Sequence, residues 1–228
     1  MSRRRAPLLL VTGTGTGIGK TVASCGLVAA WARRGLSVAG VKPIESGQDP
    51  AGQLGGDVLE LGQVSTFHVT RFTPPYLLVD AVSPHLAARR EGRTIDPHVI
   101  AAWLQPIRDA ADAVVLELPG GLFSPLTDAL TNADLVPALE PTKVLVVAPD
   151  RLGVLHDVLS TTRAAHAQGL TVDGLLLSAP AEPDGSTGTN ADELRRVLPA
   201  VPVLGVLSRA SRQDLIPVLE AVLAELAL

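Results

Sequence analysis

A glycine-rich turn between an apolar run and a helical pattern decides the fold: Val11-Thr12-Gly13-Thr14-Gly15-Thr16-Gly17-Ile18-Gly19-Lys20-Thr21. Glycines in such a turn let backbone N–H groups point at phosphate oxygens, and the N-terminus of the following helix adds positive potential. The lysine can reach the β- and γ-phosphates, and the threonine hydroxyl can ligate Mg²⁺. The turn therefore predicts a nucleotide-binding site formed by Gly15, Thr16, Gly17, Ile18, Gly19, Lys20 and Thr21.

The spacing of this turn separates triphosphate binding from dinucleotide binding. Five residues lie between Gly13 and the Gly19-Lys20 pair, one more than in the usual P-loop. The Gly-x-Gly-x-x-Gly pattern does not fit from Gly13, because Ile18 occupies the position of its third glycine. The lysine and threonine therefore favour a nucleoside triphosphate over NAD.

The rest of the chain alternates short apolar runs with longer helical patterns, without internal repeats. Runs that are apolar at consecutive positions predict strands covered on both faces. We expect strands at Leu8–Thr12, Val38–Lys42, Ala113–Leu118, Lys143–Ala148, Gly174–Ser178 and Val203–Val206. We expect helices at Lys20–Arg34, Ser83–Glu91, His98–Ala111, near Asp134, and at Val154–Gln168, Asn190–Leu198 and Gln213–Leu226.

This order predicts an α/β fold in a single domain, residues 1–228, with a mostly parallel twisted sheet flanked by helices on both faces, as in P-loop NTPases. The stretch from Asp49 to Pro75 has no strong period and carries several glycines and prolines, Gly52 among them. We expect it to be a long irregular insertion, which in a compact domain is usually functional or mobile.

Composition excludes several classes of protein. The 228 residues are 46% hydrophobic, which excludes disorder, and the longest apolar runs are far shorter than the roughly 20 residues of a membrane span. A net charge of −4, with arginines dispersed beyond Arg3–Arg5, disfavours a nucleic-acid groove. The basic start Met1–Arg5 leads into an apolar strand without a cleavage site, and the lone Cys25 cannot form an internal disulfide. We therefore expect a cytoplasmic protein with no membrane or nucleic-acid partner.

Lysine is rare in this chain, and two lysines lie in motifs. Lys20, Lys42 and Lys143 are the only three, against 16 arginines. Lys42 ends a predicted strand in Val41-Lys42-Pro43-Ile44-Glu45-Ser46-Gly47, and the carboxyl ends of parallel strands face the ligand crevice. A lysine there can neutralise a developing phosphoryl or carboxylate charge, whereas a surface lysine with no partner is the alternative.

Carboxylates for a magnesium ion are also present. Glu117 follows the apolar run Val114–Leu116, and a buried charge there requires a metal or a lysine as partner. Asp57, in the irregular stretch, is a second candidate. The five histidines show no metal-ligand spacing, and no Gly-x-Ser-x-Gly elbow is present.

Taken together, these motifs resemble those of the dethiobiotin synthetase family over nearly the whole chain. The resemblance includes the P-loop with its extra residue, Gly40-x-Lys42-Pro43-x-x-Ser46-Gly47, Ser83-Pro84-His85, Glu91-Gly92-Arg93, Glu117-x-x-Gly120-Gly121 and Pro125-Leu126-x-Asp128. It implies ATP-dependent carboxylation and ring closure of 7,8-diaminopelargonic acid with CO₂, which gives dethiobiotin, ADP and phosphate through a phosphorylated carbamate.

The resemblance also implies roles for individual residues. Lys42, Lys20 and Thr16 would be catalytic, and Thr21, Asp57 and Glu117 would hold Mg²⁺, with ATP as co-substrate. The family's homodimer would bind the substrate tail at a helix N-terminus of the partner chain. The nucleotide set would also include Glu117 and Ser178, and the substrate set would be Ser46, Lys42, Pro119, Gly153, Val154 and His156.

At four positions the sequence departs from the family pattern. Pro119 lies in a loop that is usually Glu-Gly-Ala-Gly-Gly, His156 and Ser178 each replace an asparagine, and Ser208 replaces a proline. The phosphate motifs are unaffected, whereas recognition of the base and of the substrate tail stays open.

Two other functions fit the fold class. One is a switch ATPase of the partition or nitrogenase-iron-protein type, although such proteins carry a signature lysine where this chain has Gly15. The other is a diverged, non-catalytic nucleotide-binding regulator, which His156 and the Pro119 loop would suit.

Overall fold

The structure, a computed structural model, describes residues 5–49 and 55–228; Met1–Arg4 of the basic start and Gly52 of the predicted insertion lie outside this range. Within it, the strands are β1 (Leu8–Gly13), β2 (Val38–Val41), β3 (Ile44–Ser46), β4 (Tyr76–Leu78), β5 (Ala113–Glu117), β6 (Lys143–Pro149), β7 (Gly174–Ser178) and β8 (Val203–Leu207). The helices are α1 (Lys20–Ala32), α2 (Gly56–Val64), α3 (Pro84–Arg90), α4 (Pro97–Ala110), α5 (Asn132–Leu139), α6 (Val154–Ala167), α7 (Asn190–Val197) and α8 (Arg212–Glu225).

Six strands form the central sheet in the order β2-β5-β1-β6-β7-β8, and every neighbouring pair is parallel. This confirms the predicted fold class. Because all six strands run in one direction, their carboxyl ends meet at one edge of the sheet, where the residues that follow β1, β2, β5 and β7 come together.

Alternation along β1 divides the core into two layers. Leu8 and Leu10 pack on one face with residues of α4, α5, α6 and α7, whereas Leu9 and Val11 pack on the other face with residues of α1 and α8. Successive strand side chains point to opposite faces, so a strand apolar at every position is buried on both. No helix in the described part of the chain is long and apolar enough to cross a bilayer.

The prediction of an irregular stretch from Asp49 to Pro75 is wrong in part, because the described residues there include helix α2 and a 3-10 turn at Val69–Arg71. Helix α2 was not predicted because it contains Gly56 and Gly62, which have low helix propensity, and because Leu61 is its only buried residue. Two short strands were also missed: β3 and β4 pair in parallel as a separate two-stranded sheet, Ile44 opposite Tyr76.

Residues of the motif Glu91-Gly92-Arg93 make contacts that stabilise this small sheet. The guanidinium of Arg93 donates hydrogen bonds to the carbonyls of Pro75 and Leu77 at 2.8 and 3.2 Å and stacks over the Tyr76 ring. The carboxylate of Glu91 accepts a hydrogen bond of 2.7 Å from the backbone N–H of Val79. The residues that follow α3 therefore stabilise β4, and β4 in turn pairs with β3.

Candidate active site

An open crevice of about 1360 Å³ lies along the carboxyl edge of the central sheet. Lys20, Lys42 and Glu117 all line it, although they come from three separate elements. Most of the predicted nucleotide residues line it as well, namely Thr16, Gly17, Ile18, Gly19, Thr21 and Ser178. The structure therefore brings the two motif lysines and the strand-end carboxylate into one cavity.

The phosphate loop has the backbone that its glycines predict. Gly19 precedes α1 with φ +90°, a left-handed conformation that strongly favours glycine. A Cβ at this position would lie 2.3 Å from the hydroxyl oxygen of Ser178, so the end of β7 packs directly on the loop. Ser178 is thereby placed beside the phosphate site.

Lys20 is buried, and its ammonium donates a hydrogen bond of 2.6 Å to the carbonyl of Gly15. Burial lowers the pKa of Lys20 below its ordinary value, while the charge of Glu117 opposes the shift. A backbone carbonyl is a neutral partner, so a phosphate oxygen that took its place would form a stronger, charge-assisted bond.

Lys42 is equally buried but lies among three carboxylates. Its Nζ contacts Asp57, lies 3.1 Å from Glu45 Oε2 and is 3.7 Å from Glu117 Oε1. Burial alone would lower the pKa of Lys42, but Glu117, Glu45 and Asp57 outweigh burial and raise it. Lys42 is therefore held firmly as an ammonium ion.

Glu117 is fully buried at the end of β5, and its Oε1 accepts a hydrogen bond of 3.1 Å from the Thr21 hydroxyl. Burial raises its pKa to about 6, against the opposing effect of Lys42. Its other oxygen, Oε2, is buried without a hydrogen-bond partner. Among the described residues no group of three or more histidine, cysteine, aspartate or glutamate side chains could hold a metal ion alone.

The donor set fits a magnesium ion shared with a nucleotide. Thr21, Asp57 and Glu117 supply a hydroxyl and carboxylates, the hard oxygen ligands that Mg²⁺ takes alongside substrate phosphates. The two ammonium groups and three carboxylates of Lys20, Lys42, Glu45, Asp57 and Glu117 leave a net charge of −1. A divalent cation would reverse that sign, and the unpartnered Oε2 of Glu117 offers it a ligand.

The loop after Glu117 packs tightly against the phosphate loop. A Cβ on Gly121 would lie 3.1 Å from the Gly13 carbonyl oxygen, and the N–H of Leu122 donates to that carbonyl at 2.9 Å. The buried amide of Asn132, at the start of α5, donates to the carbonyls of Pro119 and Gly121 at 2.6 and 2.8 Å. Pro119 therefore lies in a fixed wall of the crevice.

The other predicted substrate residues fall into two places. Ser46 lines the crevice, and its hydroxyl oxygen is buried without a hydrogen-bond partner. Gly153, Val154 and His156 lie at the N-terminus of α6, outside the lining of the crevice, where Gly153 and His156 are exposed. Gly15 is also outside the lining and contributes the carbonyl bound by Lys20.

Sequence reasoning missed two residues of the site. Glu45 lies within a quoted motif but received no role, and it contacts Lys42 from β3. Asn132 supports the Pro119 loop from 11 to 13 residues away along the chain. Its only sequence signal is a polar residue immediately after Thr131, which forms the capping box of α5 with Asp134.

Comparison with known proteins agrees with this geometry. A family model described as an AAA domain matches residues 8–214. The ATP-dependent dethiobiotin synthetase BioD 1 of Escherichia coli K12 is 36% identical over 198 residues, which cover 86% of this chain and 87% of that protein. The synthetase BioD of Ralstonia nicotianae is 40% identical over 212 residues, 90% of each chain.

The chain belongs to the dethiobiotin synthetase family. Solved structures show the same fold at much lower identity. A ParA family ATPase from Chlorobium tepidum matches with a TM-score of 0.59 at 12% identity, covering 97% of this chain and 92% of that one. The septum-site protein MinD of Pyrococcus horikoshii, in complex with Mg-ADP, matches with a TM-score of 0.56 at 15% identity, covering 95% and 86%. The fold is thus shared with P-loop ATPases of other functions, whereas the sequence similarity is to dethiobiotin synthetases.

Proposed function

We propose that the protein converts 7,8-diaminopelargonic acid, CO₂ and ATP into dethiobiotin, ADP and phosphate. The observation that carries this proposal is the convergence of Lys20, Lys42 and Glu117 in one crevice, in a chain that belongs to the dethiobiotin synthetase family. The reaction has to bring two anions, a carbamate and the γ-phosphate, within reacting distance. The two ammonium groups, together with Mg²⁺ and the N-terminus of α1, would supply the attraction that offsets this repulsion.

On the phosphate side, residues 15–21 would bind the nucleotide. Backbone N–H groups of the loop and the N-terminus of α1 would face the phosphates. Lys20 would exchange the Gly15 carbonyl for an oxygen of the β- or γ-phosphate. Ser178, packed against Gly19, would lie on the side of the base and ribose.

On the carbamate side, Lys42, Ser46 and Thr16 would hold the anion that forms when one amine of the substrate adds to CO₂. A carbamate oxygen then attacks the γ-phosphorus and ADP leaves, after which the second amine attacks the carbonyl carbon and phosphate leaves. Lys42 would stabilise negative charge on the transferred group. Ser46 is a suitable partner because its buried hydroxyl has no internal hydrogen bond.

Mg²⁺ would be held by Thr21, Asp57 and Glu117 together with the nucleotide. Bound there, the ion supplies charge neutralisation on the phosphates. The side chains of the protein prepare this site: Lys42 keeps Asp57 ionised, since it lowers the pKa of that carboxyl despite partial burial, and Thr21 orients Glu117.

The tail carboxylate of the substrate would be bound by a second copy of the chain. Gly153 is the N-cap of α6, a 14-residue helix, and it is exposed together with His156 and with Leu152, which is 75% exposed, whereas Val154 is buried. This exposure supports the proposal of a homodimer in which the α6 N-terminus of one protomer completes the site of its partner. Pro119 would contact the substrate from its own protomer.

A cytoplasmic location and a single domain belong to the same proposal. Cys25 is buried and free, and burial raises the pKa of its thiol to about 12, which suits an apolar packing role in a reducing compartment.

The test is the dependence of phosphate release on the diamine. Purified protein given ATP, Mg²⁺, bicarbonate and diaminopelargonate should release phosphate and form dethiobiotin, detected by mass spectrometry. Omission of the diamine should reduce release to background. Equal release without it would indicate a switch ATPase, and no release in either mixture would indicate a nucleotide-binding regulator.

A further inference from the structure

The contacts of Glu45 carry an inference that rests on the proposed function and adds a residue to it. Glu45 is the middle residue of β3, three positions after Lys42, and only 7% of it is exposed. One carboxylate oxygen, Oε2, lies 3.1 Å from the Lys42 ammonium in an ion pair and has no hydrogen-bond partner. Pairing of Glu45 with Leu77 of β4 fixes the backbone from which this contact is made.

The other side of the same carboxylate faces the N-terminus of α2. A Cβ placed on Gly56 would lie 2.9 Å from Glu45 Oε1, and the φ of +59° at this residue also favours glycine. Burial raises the pKa of Glu45, and the backbone N–H of Val58, which faces the carboxylate, opposes this rise. An anion at a helix N-terminus satisfies free N–H groups and interacts favourably with the helix dipole.

A second side chain from the same segment reinforces this attachment. The amide of Gln48, also buried, accepts a hydrogen bond of 3.1 Å from the N–H of Gly55 and donates one of 3.4 Å to its carbonyl. Glu45 and Gln48 therefore both bind the turn that begins α2, the turn that carries Asp57. Asp57 also contacts the Lys42 ammonium.

Glu45 works against anion binding by its charge, since it adds a third carboxylate beside Lys42. Its benefit must therefore be geometric. We infer that Glu45 is a positioning residue that links the Lys42 ammonium to the first turn of α2, and so fixes the relative positions of Lys42 and Asp57 for phosphorylation of the carbamate.

Two substitutions separate the two contacts of Glu45. In Glu45→Gln the side-chain oxygen can still face the N–H groups at the start of α2, but the charge attraction to Lys42 is lost. In Glu45→Ala both contacts are lost. We expect kcat to fall about tenfold to a hundredfold in both variants, the size of effect that displacement of a reacting group produces, while the KM for ATP stays within about twofold because Lys20 is untouched. Glu60→Gln is the matched control, because Glu60 is an exposed residue of α2, and it should leave both constants unchanged.

A second measurement does not depend on turnover. The chain has three lysines, so selective ¹³C labelling of lysine side chains gives three NMR signals for the nucleotide-free protein. The Lys42 signal should shift in Glu45→Gln, and the Lys143 signal should not. In Glu45→Ala, hydrogen exchange of the Val58 amide should also accelerate.

An unmoved Lys42 signal in Glu45→Gln would overturn the inference, as would a moved signal with kcat within twofold of the wild type. Failure of the proposed function would look different, because the wild type itself would then lack diamine-dependent turnover. The lysine signals and the Val58 exchange would still decide whether Glu45 positions Lys42.

Discussion

Lys20 and Lys42 are equally buried, 6% and 7% exposed, and line the same crevice, yet their surroundings are opposite. Lys20 bonds to a neutral carbonyl, and burial lowers its pKa. Lys42 contacts three carboxylates, which raise its pKa in spite of burial. A lysine with a neutral hydrogen-bond partner can exchange it for a phosphate oxygen. A lysine in contact with three carboxylates is held in a fixed position.

The difference indicates different roles for the two lysines of the crevice. Lys20 has a neutral hydrogen-bond partner, which a negatively charged ligand could replace. The carboxylates around Lys42 keep its ammonium group ionised and in position. Because they outnumber the ammonium group, a divalent cation can be bound there at low electrostatic cost. Each of the following experiments tests one part of this difference between the two lysines.

The largest expected effect is on turnover. Lys20→Ala removes the cation that faces the phosphates, so diamine-dependent phosphate release should fall by about a thousandfold. Lys143→Ala is the matched control, because Lys143 starts β6 at the opposite edge of the sheet and pairs with Asp173 at 3.0 Å. Circular dichroism should show that Lys20→Ala remains folded. An unchanged rate in Lys20→Ala would reject the assignment of the phosphate loop.

The next effect is on the free energy of unfolding, and there the two lysines should differ. Lys42→Met leaves buried carboxylates without their cation and should cost about 3 kcal/mol at pH 8. Lys20→Met removes a hydrogen bond to a half-exposed carbonyl and should stay within about 1 kcal/mol of the wild type. Urea denaturation without nucleotide measures both. Equal losses in the two variants would mean that the carboxylates do not distinguish the lysines.

The smallest effect is a pH dependence at the Lys42 end. The pKa of Glu117 is about 6 in the folded protein and 4.5 in its reference state, so the folded protein binds more protons between these values. Stability contributed by this group therefore falls as pH rises through this window, by at most about 2 kcal/mol. Relative to Glu117→Gln, the wild type should lose stability from pH 4 to pH 7 in EDTA. A relative gain over that range would contradict the assigned burial of Glu117.

The sequence predicted the central sheet well because its physical signal is strong. β1, β5 and β6 are apolar at nearly every position, and the glycine-rich turn fixes where β1 ends and α1 begins. From parallel strands alone it followed that Lys42 and Glu117 would meet at one edge. That part of the candidate site is built from residues next to strand ends, which sequence patterns can locate.

The small sheet and α2 could not be predicted in the same way. β3 and β4 have three residues each and lie beside Pro43 and Pro75, and α2 has a single buried residue. Their order comes from long-range contacts such as those of Arg93 with β4. Glu45 was missed for the same reason, since its partner at the start of α2 is visible only once the chain has folded.

The scarcity of lysine has a practical consequence for labelling. Of the three side-chain amines, those of Lys20 and Lys42 are buried, while the side chain of Lys143 is 32% exposed. An amine-reactive ester should therefore attach to Lys143 far faster than to the other two lysines. A fluorophore or a resin linked at that residue would leave the carboxyl edge of the sheet free, because Lys143 lies at the amino end of β6.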